Sequence, residues 1–160
     1  MAHRYKKHGI SLAYPERWEL SEQSEPGQVT ISLTSPGTSF LTICLFQDRP
    51  DPEEVAEAAL QAFRDEYTEL DIYPVKAKVG RRPAVAWDLE FFCLELTNSA
   101  RIRAFRAPGF TCLLLFQGTD QEFERTEETF LKIARTIRCL GTEGEPVDPG
   151  DADAEEDDDD

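Results

Sequence analysis

The chain has 160 residues, 40% of them hydrophobic and 10% aromatic, with a formal net charge of −15. That length fits one domain able to bury a real core, and the acidity argues against binding nucleic acid or an anionic membrane through clustered Lys and Arg. The charge is uneven: no basic residue follows Arg138, whereas 11 of the 32 acidic residues lie between Glu143 and Asp160, and the other 21 acids against 17 bases leave only −4.

The N-terminal MAHRYKKHG is basic, but no long apolar stretch follows it, so it does not read as a signal peptide. No run approaches the roughly 20 apolar residues of a membrane helix. The expectation is a soluble, cytoplasmic protein without disulfides. Cys44, Cys93, Cys112 and Cys139 are far apart with no C-x-x-C pair, and three sit in apolar runs. They read as small buried hydrophobes, with a redox or metal role as the alternative.

Arg4 to Lys7 and Ile10 to Tyr14 read as strands around a His8-Gly9 turn. Val29 to Leu33 and Phe40 to Gln47 follow, separated by Ser35-Pro36-Gly37. Asp51-Pro52-Glu53-Glu54 then opens a helix, with Asp51 as N-cap, Pro52 in the first turn and Glu54 completing a capping box. Val55, Ala59, Ala62, Phe63 and Leu70 recur at helical spacing, and the helix is expected to end near Tyr67.

Four strands come next: Ile72 to Val79, Ala84 to Glu95, Arg101 to Ala107 and Phe110 to Gly118. Gly80-Arg81-Arg82-Pro83, Thr97-Asn98-Ser99 and Pro108-Gly109 punctuate them. Such short connections force an antiparallel meander. Thr119 and Glu122 read as a second capping box, and Phe123, Phe130, Ile133, Ala134 and Ile137 as the apolar face of a helix ending near Arg138. From Gly141 onward Gly, Pro, Asp and Glu dominate, a composition that cannot offset the entropy of folding. The division is one folded domain, 1–140, and a disordered acidic tail, 141–160.

Phe110 to Phe116 is apolar on both faces and Phe40 to Phe46 nearly so, which makes those strands central. Ile72 to Val79 and Arg101 to Ala107 alternate, and are expected half-exposed near the sheet edges. The fold class is α/β (α+β): a mostly antiparallel sheet with helices packed on it.

Tyr14-Pro15-Glu16-Arg17-Trp18, directly after a strand, resembles the aromatic-Pro-x-x-Trp start of PsbP-like proteins, and Gly80-Arg81-Arg82-Pro83-Ala84 is similar to their Gly-x-x-Ala turn. The order of elements fits from about residue 4 to residue 138. The superfamily includes the extrinsic photosystem II subunit, a Ran-binding nuclear import factor, and bacterial chaperones that load type VI secretion effectors. The resemblance implies an antiparallel sheet sandwiched between helices, and brings no catalytic site. The chain departs from many relatives in lacking a lipoprotein cysteine, and the acidic tail is no recognised family feature. Physically, Pro15 stops a strand and Trp18 plugs one end of the sheet.

Catalysis has little to draw on. The only histidines are His3 and His8, and there is no G-x-S-x-G, Gly-rich phosphate loop or H-E-x-x-H. Asp88 and Glu90 could do acid–base work, but share a strand face on which Lys76, Lys78, Arg101 or Arg103 would neutralise them. No metal site or cofactor is expected. Met1-Ala2-His3 reads as a fraying terminus, and the run Asp157 to Asp160 offers no preformed cage.

Two binding surfaces remain. Lys76, Lys78, Arg81, Arg82, Arg101, Arg103 and Arg106 could form an anion-recognising sheet face, shielded by the acidic tail, or merely a solvated face with cross-strand pairs. Phe92 and Leu94 could form an apolar groove or dimer surface, or lie buried under the helices. The leading expectation is a noncatalytic protein-binding or adaptor module, a homodimer among its options. A cytosolic chaperone for secreted effectors and an enzyme of unrecognised type are the alternatives.

Overall fold

The computed structural model of the chain describes residues 2–141. Ten strands and two helices follow in the order β1 (His3–Lys7), β2 (Ile10–Tyr14), β3 (Glu19–Glu25), β4 (Gln28–Thr34), β5 (Phe40–Phe46), α1 (Pro52–Glu66), β6 (Leu70–Val79), β7 (Arg82–Cys93), β8 (Leu96–Arg106), β9 (Thr111–Thr119), α2 (Asp120–Thr136) and β10 (Arg138–Cys139). Seven strands form a sheet in the order β3-β4-β5-β9-β8-β7-β6, and β1-β2-β10 form a small second sheet. Every strand pair is antiparallel. The expected tail lies outside the described residues apart from Gly141.

The two faces of the large sheet are covered differently. On one, Ala56, Leu60 and Phe63 of α1 bury Leu89, Phe91, Ala100 and Ile102. On the other, Phe123, Phe130 and Ile133 of α2, with Ile10 and Leu12 of β2, bury Ile31, Ile43, Leu114 and Phe116. β5 and β9 sit at the centre, as their two-sided apolarity requires. Trp18 is buried against Phe116, ring centroids 6.4 Å apart, and Phe130 stacks on the same ring at 4.6 Å.

Several sequence expectations need correction. β3, Glu-Leu-Ser-Glu-Gln-Ser-Glu, has almost no strand propensity, and its full register with β4 is what makes it a strand. β8 is interior rather than near an edge, lying between β7 and β9. The α1 face is Ala56, Leu60 and Phe63; Ala62 is exposed and Leu70 belongs to β6. Asp51 does cap α1, accepting a 3.0 Å hydrogen bond from the Glu53 N–H. Thr119 makes no side-chain cap. Glu122 instead turns to the β4–β5 loop, accepting from the Thr38 N–H and hydroxyl and the Ser35 hydroxyl.

Both edges of the large sheet carry features that discourage pairing with other chains. β3 presents Glu19, Glu22 and Glu25, and β6 has Pro74, Lys76 and Lys78.

Candidate functional site

The β7–β8 hairpin ends the sheet in an unusual loop. Cys93 pairs with Leu96, so the connection is only Leu94-Glu95, and Thr97-Asn98-Ser99 is strand, not turn. Both loop residues have positive φ, +53° at Leu94 and +64° at Glu95. Tight hairpins of this kind favour Asn-Gly because left-handed backbone costs other residues about 1–2 kcal/mol each. Leu94 is 88% exposed, and Phe92 and Leu96 are each 53% exposed. Burial of Phe92 and Leu94 under the helices is thus corrected.

Strand alternation places Phe92 on the α2 side and Leu96 on the α1 side, with Leu94 at the apex. The tip therefore presents large apolar groups on three sides. Glu69, Asp71, Glu90 and Phe92 line an open groove of 520 Å³ at its flank. An apolar tip with an acidic flank is chemically suited to a partner surface combining apolar and basic groups.

Two of the arginines assigned to an anion-recognising face, Arg101 and Arg103, are engaged internally. Arg101 Nε donates to Glu127 of α2 at 2.9 Å and lies 3.5 Å from Asp88, and its guanidinium sits 4.6 Å over the Phe123 ring. Arg103 is 7% exposed, with Nη1 3.0 Å from Asp88 and donating to the Trp87 and Ile102 carbonyls. This network ties β7 and β8 to the underside of α2.

Lys76 and Lys78 do not join it. They pair in register with Val85 and Pro83, which puts them on the α1 side of the sheet, whereas Asp88, Arg101, Arg103 and Phe92 are on the α2 side. Glu90 lies opposite Asp71 and Ser99 rather than a base. Lys76 and Lys78 are therefore an exposed pair on one side of the sheet, and Arg101 and Arg103 belong to a charge network on the other. Lys76 and Lys78 line a 680 Å³ groove with Val75, Ala77 and Arg135.

Titratable groups elsewhere are occupied by structure. His8 lies 3.5 Å from Glu22, and His3 packs against Tyr14 with ring centroids 5.3 Å apart. Among the described residues no disulfide joins the four cysteines. Burial pushes the Cys44 and Cys112 thiols up, away from the thiolate form that nucleophilic or metal chemistry needs. Among the described residues no three His, Cys, Asp or Glu side chains converge as a metal set, and no helix is long and apolar enough to cross a membrane.

Sequence reasoning picked out Phe92 but missed the tip, because Leu94-Glu95 carries no turn residue. The available signal was the break in alternation: Leu89, Phe91 and Cys93 keep a period of two, and Leu96 resumes after two residues.

No protein family and no curated protein matches the chain in sequence. The fold does match solved structures, and it is PsbP-like. Cyanobacterial PsbP from Synechocystis is 14% identical, with a TM-score of 0.54, over 86% of this chain and 92% of that one. Mog1 is 8% identical, with a TM-score of 0.57, over 88% and 97%. LpqN, involved in cell envelope biogenesis of Mycobacterium tuberculosis, is 15% identical, with a TM-score of 0.54, over 84% and 88%.

Proposed function

We propose that this chain is a noncatalytic protein-binding module that docks its partner through the β7–β8 tip, with Phe92, Leu94 and Leu96 as anchors. The observation that carries the reading is Leu94: a large apolar side chain held 88% exposed on left-handed backbone. Exposure and backbone cost both oppose that choice in an isolated domain, and a partner that buries the tip removes the first objection. The acidic flank from Glu69, Asp71 and Glu90 selects a partner with basic groups around an apolar pocket. The effector-chaperone reading calls for an apolar concave surface, whereas the exposed apolar groups here project from a tip.

The test is affinity capture from native lysate at moderate salt, comparing the native chain with F92S/L94S. A partner retained by the native chain and lost from the variant supports the reading. Equal retention by both overturns it. Sedimentation of the native chain alone separates a second copy from a different partner.

A further inference from the structure

We infer that the end of the sheet from which the C-terminal strand departs is an anion-docking surface, and that its occupant is the acidic segment 143–160 of the same chain. The surface is built from arginines linked through backbone carbonyls. Arg49 Nε donates to the Ala107 carbonyl at 2.8 Å, Arg106 Nη2 to the Arg49 carbonyl at 2.9 Å, and Arg82 Nη1 to the Arg106 carbonyl at 3.2 Å. Arg49 on the β5–α1 connection, Arg82 at the start of β7 and Arg106 at the end of β8 are thus linked at one end of the sheet. The carbonyls held by Arg49 and Arg106 satisfy one N–H each but neutralise neither charge, and a guanidinium has five donors in a planar fork suited to carboxylates. Arg49 and Arg106 are both exposed, and among the described residues neither meets a carboxylate within ion-pair distance.

A fourth arginine stands where the chain leaves. Arg138 Nη1 donates to the Arg135 and Ile137 carbonyls at 2.9 and 2.8 Å, and lies 3.2 Å from the position a Cβ would take on Gly80, beside the loop that carries Arg81. One residue beyond β10, the Leu140 N–H donates to the Gly9 carbonyl at 2.8 Å. Gly9 in turn faces the ring of Phe110, whose carbonyl accepts from the Ala107 N–H in the β8–β9 turn next to Arg106. The exit of the chain is therefore tied to the same turns that carry the arginines.

Segment 143–160 holds 11 carboxylates and no base, and it begins two residues beyond Gly141. At about 3.3–3.6 Å per extended residue, ten residues reach roughly 35 Å, enough to cross this end of the sheet. Attachment so close to the surface gives the segment a local concentration that a free acidic chain must compete against.

The test uses the full chain and a full-length variant in which every Asp and Glu from Glu143 onward becomes Asn or Gln. The side-chain Nε–Hε resonances of Arg49 and Arg106 are followed by NMR at about 20 mM and about 0.5 M salt, where screening lengths differ several-fold. Docking predicts that both resonances differ between the two proteins at low salt and coincide at high salt. Identical spectra at low salt, or differences confined to Lys76 and Lys78, overturn the site. Poly-glutamate should then move the Arg49 and Arg106 resonances of the amide variant, and bind the native chain at least about tenfold more weakly. Equal affinity overturns occupancy by the segment. Differences that grow with protein concentration assign the segment to a second copy and overturn docking within one chain.

Discussion

Arg103 Nη1 lies 3.0 Å from Asp88 Oδ1, across the β7–β8 pair and beneath α2. Asp88 Oδ1 is itself buried and lacks an aligned hydrogen bond within the described structure, so the contact is one of charge with charge. Burial lowers the Arg103 guanidinium from its ordinary value, and Asp88 opposes that shift. Asp88→Ala leaves the buried cation with carbonyl partners and only the Glu127 charge to offset its burial. The expected loss is about 2–3 kcal/mol, below the roughly 3–5 kcal/mol range for fully buried pairs because the Asp88 side chain is 25% exposed. Urea unfolding measures it. The double change D88L/R103M should recover most of the loss, and a single change costing under about 0.5 kcal/mol would refute the assignment.

Glu122 links the start of α2 to the β4–β5 loop, and its acidity follows from that link. The Thr38 hydroxyl above all, helped by the Thr38 N–H, the Ser35 hydroxyl and the Ser39 N–H, holds its carboxyl below the usual range, while burial pushes the other way. A carboxylate with a lowered folded pKa adds stability that is complete above its unfolded value, near 4.5, and is lost as pH falls through the folded value. Glu122→Gln should therefore lower stability at neutral pH by about 1 kcal/mol and flatten the acid side of the profile. Thermal melts between pH 7 and pH 3 decide it. A variant whose melting temperature falls with acid as steeply as the native chain speaks against the role.

Gly80 is the first residue of the β6–β7 loop, with φ at +61°, and its N–H donates to the Ala134 carbonyl near the end of α2. A Cβ there would fall 2.3 Å from the Ile137 carbonyl oxygen, a backbone atom that cannot swing aside. Gly80→Ala should cost about 2 kcal/mol or more, from the left-handed backbone and from parting the loop from the helix end. Gly27 also has positive φ, but no atom lies within 4 Å of its Cβ position, so its Ala variant bears backbone cost alone and should lose less. Equal losses in the two variants would show that the close approach at Gly80 contributes nothing.

The β7–β8 loop should be more stable with ordinary turn residues. Replacing Leu94 and Glu95 together by Asn and Gly relieves two left-handed residues and is expected to gain about 1 kcal/mol. The same change removes the most exposed apolar anchor, so partner capture should weaken as stability rises. That opposite movement is the signature of a residue retained for binding rather than for folding. If stability and capture rise together, Leu94 is not an anchor.

Much of the fold was legible locally. The two-sided apolarity of Phe40 to Phe46 and Phe110 to Phe116 placed those strands at the centre of the sheet. Asp51 and Pro52 marked the start of α1, and Phe123, Phe130, Ile133 and Ala134 defined the buried stripe of α2. These signals arise from periodicity and capping, which act within a few residues along the chain. The motifs around Trp18 and Gly80 pointed to the PsbP-like fold for the same reason: each encodes a local stop or turn.

What depended on contacts distant in sequence was decided only in three dimensions. β3 has no strand signal and is a strand because β4 pairs with it. Arg101 and Arg103 read as a half-exposed edge, yet they are interior because β8 lies between β7 and β9, with Glu127 and Phe123 of α2 supplying partners. Lys76 and Lys78 fell on the opposite side from them because register, which alternates faces with every residue, is set by strand pairing and not by composition. The apolar tip followed from the same cause. Pairing of Cys93 with Leu96 left two residues for the loop, and so fixed Leu94, between Phe92 and Leu96, in solvent.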